Sequence, residues 1–323
     1  MPELPDLEYI QDGLSRALAD RTVRAVAVKQ PVVLRNLLNQ SAGGAASKTA
    51  ARETPGAPAG SRAFDESLIG LKFSSVRRHG PFLHFVFAGD SPEAGVDLIV
   101  HPMLAGRFHV RAHDSESAQG EAARSRAAKA KSPGAGLCLQ LEFDGCTLSY
   151  LDTKKMGKLY AIRPGQTGSV PRYDDQGLPV LSAAFTEDAF LQLLEKRKRQ
   201  QVRVFLMDQS NLSAIGNAYA DEILFAAGIH PKATGAQLSD EDKTCLYNAI
   251  REVLASGAAA VRAAGQSIDV KVRDHMRVRN RRDEACIKCG TTVRRVAVLG
   301  HDAFFCPGCQ PPKRELFIDW RKS

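Results

Sequence analysis

No run of eighteen apolar residues occurs anywhere in the 323-residue chain, so no stretch qualifies as a membrane-spanning helix. The first twenty residues, MPELPDLEYIQDGLSRALAD, lack an apolar core stretch and are acidic before they are basic, which excludes a secretory signal. A cytoplasmic protein is expected, nucleoid-associated if the source is bacterial, with no membrane partner. Large apolar side chains are also missing from two internal stretches, 41–63 and 112–135, which are rich in Ala, Gly, Ser and Pro. Neither can bury enough surface to offset ordering its backbone, and both read as mobile insertions. Acidic residues fall short of basic ones by 36 to 44, giving +8 and a pI near 9.2. That balance suits a polyanionic partner without requiring one.

What is present divides the chain into three parts. KFSSVRRHG, FLHFVFAG, VDLIVHPM, RFHVRA, LCLQLEFDG, TLSYLDT and KLYAIR are short runs punctuated by Gly, Pro and Asp, as expected of an antiparallel sheet or barrel. A helix over Leu4–Leu18 precedes them. After the connector 163–179, the segments AFLQLLEKRKRQQVRVFLMD, AIGNAYADEILFAAG and EDKTCLYNAIREVLASGAAAVRAA carry apolar residues at helical spacing. Ser239 and Asp240 can cap one helix, and Gly228 and Gly265 stand where helices should stop. The fold class is therefore α+β. The boundary falls near residue 170, with domains expected over 1–165 and 180–268 and a metal module over 280–315.

Seven cysteines distribute unevenly. Cys138, Cys146 and Cys245 are isolated in apolar surroundings and read as small core residues. Cys286, Cys289, Cys306 and Cys309 form C-x2-C-x16-C-x2-C, which can enclose one tetrahedral Zn²⁺; a redox dithiol is the alternative. Four thiolates leave no open position, so the metal would be structural. Between the pairs, RRVAVLGHDAFF reads as two strands and a turn. The flanks KVRDHMRVRNRRDEAC and KRELFIDWRK supply cations for phosphate contacts, or simply a solvated charged face. In LMDQSNLSAIGNAYADEILFAAGIHP a turn at Gly216-Asn217 opens a helix near Ala218, whose exposed N–H groups could hold a phosphate; an ordinary helical hairpin fits equally. The opening MPELPDLE, taken alone, is most simply a frayed end.

Together, MPELPDLE, LMDQSNLSAIGNAYADEILFAAGIHP and the four-cysteine end resemble the formamidopyrimidine-DNA glycosylase/endonuclease VIII family of base-excision repair enzymes. The resemblance implies an N-terminal β-sandwich, a helix-two-turn-helix domain and a zinc finger, acting as a monomer on damaged duplex or single-stranded DNA. It implies that Pro2, freed of Met1, is the amine nucleophile of a glycosylase with abasic-site lyase activity. Glu3 would transfer protons at the sugar. Glu8 also matches, and Asp6 stands where the family often has Glu. Arg203 and Asn217 match positions that grip phosphates around a flipped nucleotide.

The chain departs from the family at lesion-facing positions. The hairpin lysine falls at Pro81, leaving Arg78, His79 or a lysine from elsewhere in the chain as candidate substitutes. The finger arginine falls at His301, which would hold a phosphate less firmly. Leu104, or by a one-residue slip Met103, replaces the void-filling Met. Lys155 and Met156 replace an Arg and a Phe, and a lysine lacks the planar fork of arginine. The specificity is expected to differ from that of 8-oxoguanine enzymes, or catalysis to have been lost in favour of damage binding.

Overall fold

The structure, a computed structural model, describes residues 2–39, 59–113 and 135–312. Most of both expected insertions, 40–58 and 114–134, lies outside the described residues. Residues 59–63, expected within a mobile insertion, are instead the start of a helix, α2 (Ala59–Leu68), which anchors Phe64 and Leu68 in the core.

The chain divides into two compact units. One comprises Leu7–Asp174 with Pro2 and Ser267–Lys271; the other comprises Glu3–Asp6, Asp175–Gln266 and the chain from Val272 onward. The helical segment and the cysteine module, expected as separate domains, thus form a single unit.

The opening helix α1 (Leu4–Leu18) buries Leu4, Leu7, Ile10, Leu14 and Leu18, a stripe at helical spacing. In the first unit, β1 (Val23–Val28), β7 (Leu137–Phe143), β8 (Cys146–Leu151) and β6 (Arg107–Ala112) form a four-stranded sheet in the order β1-β7-β8-β6. A five-stranded sheet is ordered β2 (Leu34–Asn36), β9 (Lys158–Ile162), β5 (Val96–His101), β4 (Phe82–Ala88), β3 (Lys72–His79). Every pairing is antiparallel except β2 with β9. The sheets meet through Phe85 on Phe108 and Phe87 on Phe143, with ring centroids 5.8 and 6.4 Å apart. That makes a sandwich, in which β4 is buried on both faces because the connector covers its outer side. There Phe82, Ile99 and Ile162 pack on Val170 and Tyr173, and the Tyr173 hydroxyl lies 2.7 Å from buried His84 Nδ1. The expected strand runs become β3–β9; β1 and β2 go beyond that expectation. The first is half-exposed and the second three residues long, so neither carries a clear alternation.

The second unit contains α3 (Glu187–Lys196), α4 (Val202–Met207), α5 (Asn217–Ala226) and α6 (Asp240–Ala264). The expected single helix over 189–208 is broken. Gln201 bridges to Thr234 and the Val202 N–H donates to Ala233 O, pulling residues 197–201 out of the helix. Phe185, Phe190, Phe205 and Tyr247 meet in edge-on and tilted ring contacts as the core of this bundle. Ser239 caps α6 with a reciprocal Asp242 bond, and Gly265 ends it at φ 57°, a left-handed conformation suited to glycine. Asp240 lies inside the helix and pairs with Lys243. Cys138 and Cys146 are buried as expected, but Cys245 is exposed, because α6 turns Leu246, Tyr247, Ala249 and Ile250 inward and leaves position 245 outside. A hairpin, β10 (Arg294–Val298) and β11 (His301–Phe305), lies between the two cysteine pairs.

Candidate functional site

Glu3 occupies the position before α1, where a side chain would ordinarily cap its own helix. Instead its carboxylate caps another. Oε2 accepts from the Gly216 and Tyr219 N–H groups at 3.0 Å each, and Oε1 from the Ala218 N–H at 3.1 Å. These donors form the N-terminus of α5, whose unsatisfied N–H groups and positive dipole end favour an anion. The phosphate expected at this turn therefore meets N–H groups already held by Glu3, and Asn217 is what remains to contact one. The turn itself is laced by Gln209, whose amide accepts from Ala214 N–H and donates to Ile215 O and Met207 O. Ala214 O in turn accepts the Leu4 N–H, tying the start of α1 to it.

Glu3 is buried, and burial pushes its carboxyl above the ordinary carboxylate range against the pull of Tyr219 N–H and Arg273. Asp6 accepts the Glu3 N–H at 2.9 Å and receives a two-pronged contact from Arg273, at 2.8 and 2.7 Å. Contact at position 6 thus survives the shorter side chain. The Arg273 guanidinium lies 5.7 Å from the Tyr219 ring centroid, and the Tyr219 hydroxyl is 3.0 Å from His275 Nε2.

Arg203 is not offered to solvent. It is 1% exposed; Nε donates to Asp221 at 2.8 Å, and Nη2 donates to Asn217 Oδ1 and to Asp302 O at 2.9 Å each. Its geometry makes it the strut that orients Asn217, whose amide NH2 has no partner among the described residues. Asp221 also accepts from Arg279 and from the Phe304 N–H, so one buried carboxylate joins α4, α5 and the hairpin. Glu222 accepts three consecutive N–H groups, from Arg277, Val278 and Arg279. Burial raises the pKa of both carboxyls.

Cys286, Cys289, Cys306 and Cys309 bring four sulfurs within 4.8 Å of one another, with Cys286–Cys309 at 3.8 Å and Cys289 at 3.4 Å from both Cys306 and Cys309. A tetrahedron of sulfurs at about 2.3 Å from Zn²⁺ has edges of about 3.8 Å, so the donor set could hold such an ion. Val278, Val293 and Phe225 pack beneath it. His301 is exposed at the hairpin turn.

In the first unit, the β5–β6 loop holds Leu104 48% exposed and the β8–β9 loop holds Met156 38% exposed, beside exposed Lys155 at φ 52°. Both loops close on the Tyr150 hydroxyl through Gly106 and Gly157, and Asp152 pins the second by accepting from Lys154 and Gly157 N–H. Leu104, Lys155 and Met156 are thereby gathered at one end of the sandwich. Lys271 Nζ lies 3.5 Å from Leu104 O. Arg78 and His79 are engaged elsewhere. Arg78 pairs with Glu8 at 3.5 Å and donates to Gly80 O; His79 stacks on Tyr173 and bonds its carbonyl at 2.7 Å. His101, which sequence reasoning missed, stands at the end of β5, where Nδ1 accepts the Met103 N–H and burial pushes its pKa down to about 4. Arg273, Tyr219 and Asp221 were missed too, since nothing local distinguishes them from helix-face or solvated residues.

The formamidopyrimidine-DNA glycosylase N-terminal domain model matches residues 1–159, and the formamidopyrimidine-DNA glycosylase H2TH domain model matches residues 177–271. A formamidopyrimidine-DNA glycosylase of Desulfitobacterium hafniense is 29% identical over 96% of this chain and all of its own length. That of Bacillus subtilis is 26% identical over 97% of this chain and all of its own. Among solved structures, a Lactococcus lactis enzyme bound to Fapy-dG-containing DNA superimposes with a TM-score of 0.74 at 22% identity, covering 96% of this chain and 100% of that one. A complex of the L. lactis enzyme with abasic-site DNA gives the same TM-score at 21% identity, covering 96% and 99%. These structural likenesses speak to the fold.

Proposed function

The chain belongs to the formamidopyrimidine-DNA glycosylase family, and on that premise we propose that it excises damaged bases through the amine of Pro2 and the carboxyl of Glu3. It is a bifunctional DNA glycosylase and abasic-site lyase, and DNA is its partner. The observation that carries the mechanistic reading is the seat of Glu3: a buried carboxyl, beside Pro2 in the chain, held by three converging N–H groups.

With Met1 removed, Pro2 carries a secondary amine. An α-amino group has a pKa near 8, so an appreciable fraction is a free base at neutral pH. Its lone pair attacks C1′ of the deoxyribose, and the glycosidic electron pair leaves with the base. Glu3 delivers or removes the proton at the sugar as the ring opens. The resulting C1′ iminium draws electrons from the C2′–H bond, a base takes the C2′ proton, and elimination breaks the C3′–O bond so that the 3′ phosphate leaves. A carboxyl pushed upward by burial exchanges protons more readily near neutral pH than an ordinary one. The rigid seat holds it in register with the sugar.

Asn217, oriented by Arg203, is the candidate phosphate donor at the turn, with exposed His301 a weaker one on the hairpin. The four-cysteine cluster takes one Zn²⁺ as a structural ion that fixes the hairpin; four thiolates leave it no open position for chemistry. Leu104 and Met156 are the apolar side chains available to fill the gap left by a flipped nucleotide, and Lys155 faces the unpaired base with a single ammonium. With Pro81 in place of a lysine, and Arg78 and His79 committed to internal contacts, lesion recognition differs from that of 8-oxoguanine enzymes. Damaged duplex or single-stranded DNA is the substrate, and the protein acts as a monomer. A panel of duplex and single-stranded oligonucleotides carrying formamidopyrimidine, 8-oxoguanine and oxidised pyrimidines tests this. Excision that favours a lesion other than 8-oxoguanine and falls steeply in Glu3→Gln, to a residual rate still measurable in single turnover, supports the reading; no excision of any lesion by the wild type contradicts it.

A further inference from the structure

Arg273 comes from the irregular segment after α6 and belongs to the same unit as Glu3. Its guanidinium grips both oxygens of Asp6, at 2.8 and 2.7 Å, and Nη1 also donates to Val272 O. Asp6 Oδ2 is the same atom that accepts the Glu3 N–H. One side of Arg273 lies towards the ring of Tyr219, whose own N–H holds Glu3 Oε2. The guanidinium therefore reaches Glu3 by two routes, through the first turn of α1 and through the first turn of α5.

We propose that Arg273 is a positioning residue for Glu3, fixing the helix turn from which Glu3 projects and balancing the Asp6 charge beside it. This rests on Glu3 being the proton-transfer group. The titratable and charged groups around Glu3 are Asp6 in the first turn of α1, Tyr219 and Glu222 on α5, Arg273 and His275 from the segment after α6, and the amine of Pro2. Glu222 is committed to three N–H groups, and burial holds the Tyr219 hydroxyl above and His275 below their ordinary ranges. That leaves Asp6 and Arg273 as the opposed pair whose balance is felt at Glu3: Arg273 lowers and Asp6 raises its proton affinity. An arginine is suited to the task because its planar fork holds a carboxylate in one orientation while staying charged at every working pH.

The test is the pH profile of single-turnover excision from a formamidopyrimidine duplex, with the limb that Glu3→Gln abolishes taken as that of Glu3. In Arg273→Gln this limb moves up by about one pH unit, because Asp6 is left unbalanced. In Asp6→Asn it moves down by a similar amount. The double variant Asp6→Asn/Arg273→Gln returns close to the wild-type position, although the Asp6–Arg273 ion pair is gone. Arg273→Lys keeps the limb in place and loses rate several-fold, since the charge survives without the fork. Limbs that coincide in all variants, or that move the same way in both single variants, overturn the proposal while leaving Glu3 catalysis intact. A wild type with no limb removable by Glu3→Gln overturns the catalytic reading itself, and this proposal with it. Thermal melts of each variant identify any that fail to fold, and the double and lysine variants then decide.

Discussion

Replacing Gly216 by alanine changes one methyl group and leaves every ionisable residue in place, yet it should disable the site. Gly216 lies at φ −128° and ψ −163°, extended backbone that alanine adopts without strain. A Cβ there would stand 2.8 Å from Glu3 Cδ and 3.0 Å from both Cγ and Oε1. Non-bonded carbons settle at about 3.5 Å, so the carboxyl must retreat by about 0.5–0.7 Å. The three N–H contacts, now 3.0, 3.1 and 3.0 Å, then stretch beyond about 3.5 Å, where a hydrogen bond is largely lost. Bonds to a charged group contribute about 1.5–3 kcal/mol each. Weakening all three while the side chain relaxes costs about 2–4 kcal/mol in the organisation of the site, a rate loss between about 30-fold and about 1,000-fold. Single-turnover excision and strand cleavage at an abasic site measure the rate, and circular dichroism confirms the fold. A folded Gly216→Ala enzyme with wild-type rates would refute the claim that this seat positions Glu3.

Other perturbations separate the supporting elements. Arg203→Ala leaves Asp221 buried without its main partner and should lower stability by about 3–5 kcal/mol in urea denaturation, with weaker DNA binding as Asn217 loses its strut. Chelation of the metal should loosen the hairpin over Val278 and Val293 and weaken DNA binding, with re-addition of Zn²⁺ restoring both hairpin amide protection and affinity. Leu104→Ala and Met156→Ala remove exposed side chains and should leave unfolding within about 0.5 kcal/mol of wild type, while slowing excision from duplex more than from single-stranded DNA. His101 titrates near 4 when folded, below its ordinary 6.5, so the native state binds fewer protons between those values. Stability should therefore fall by about 3 kcal/mol as pH drops from about 6.5 through about 4, and His101→Gln should flatten that slope in chemical denaturation.

Periodicity and turn residues made the helix Leu4–Leu18, the strands β3–β9 and the cysteine hairpin legible in the chain, because each is decided by local pattern. The break at 197–201 was not legible, since it is imposed by pairing with Thr234, a partner some thirty residues away. Cys245 was misread for a related reason: apolar neighbours do not say which face of α6 a position occupies. In the site, the cysteine spacing and the opening Pro-Glu were visible as motifs. The pairing of Glu3 with the start of α5, more than two hundred residues on, was not, and the basic segment 271–282 hid Arg273 among solvated neighbours. Arg203 looked like a phosphate ligand because it matches a family position that grips phosphate. Only the fold reveals that Asp221, Asn217 and Asp302 surround it and turn it into a strut.

The central claim is that chemistry begins at the amine of Pro2. Borohydride trapping on abasic-site DNA, with the adduct mapped by mass spectrometry in protein shown to lack Met1, tests it most directly. A covalent adduct on Pro2, lost in Pro2→Gly, is the predicted result. An adduct on a lysine, or none from protein that binds the same DNA, would contradict it.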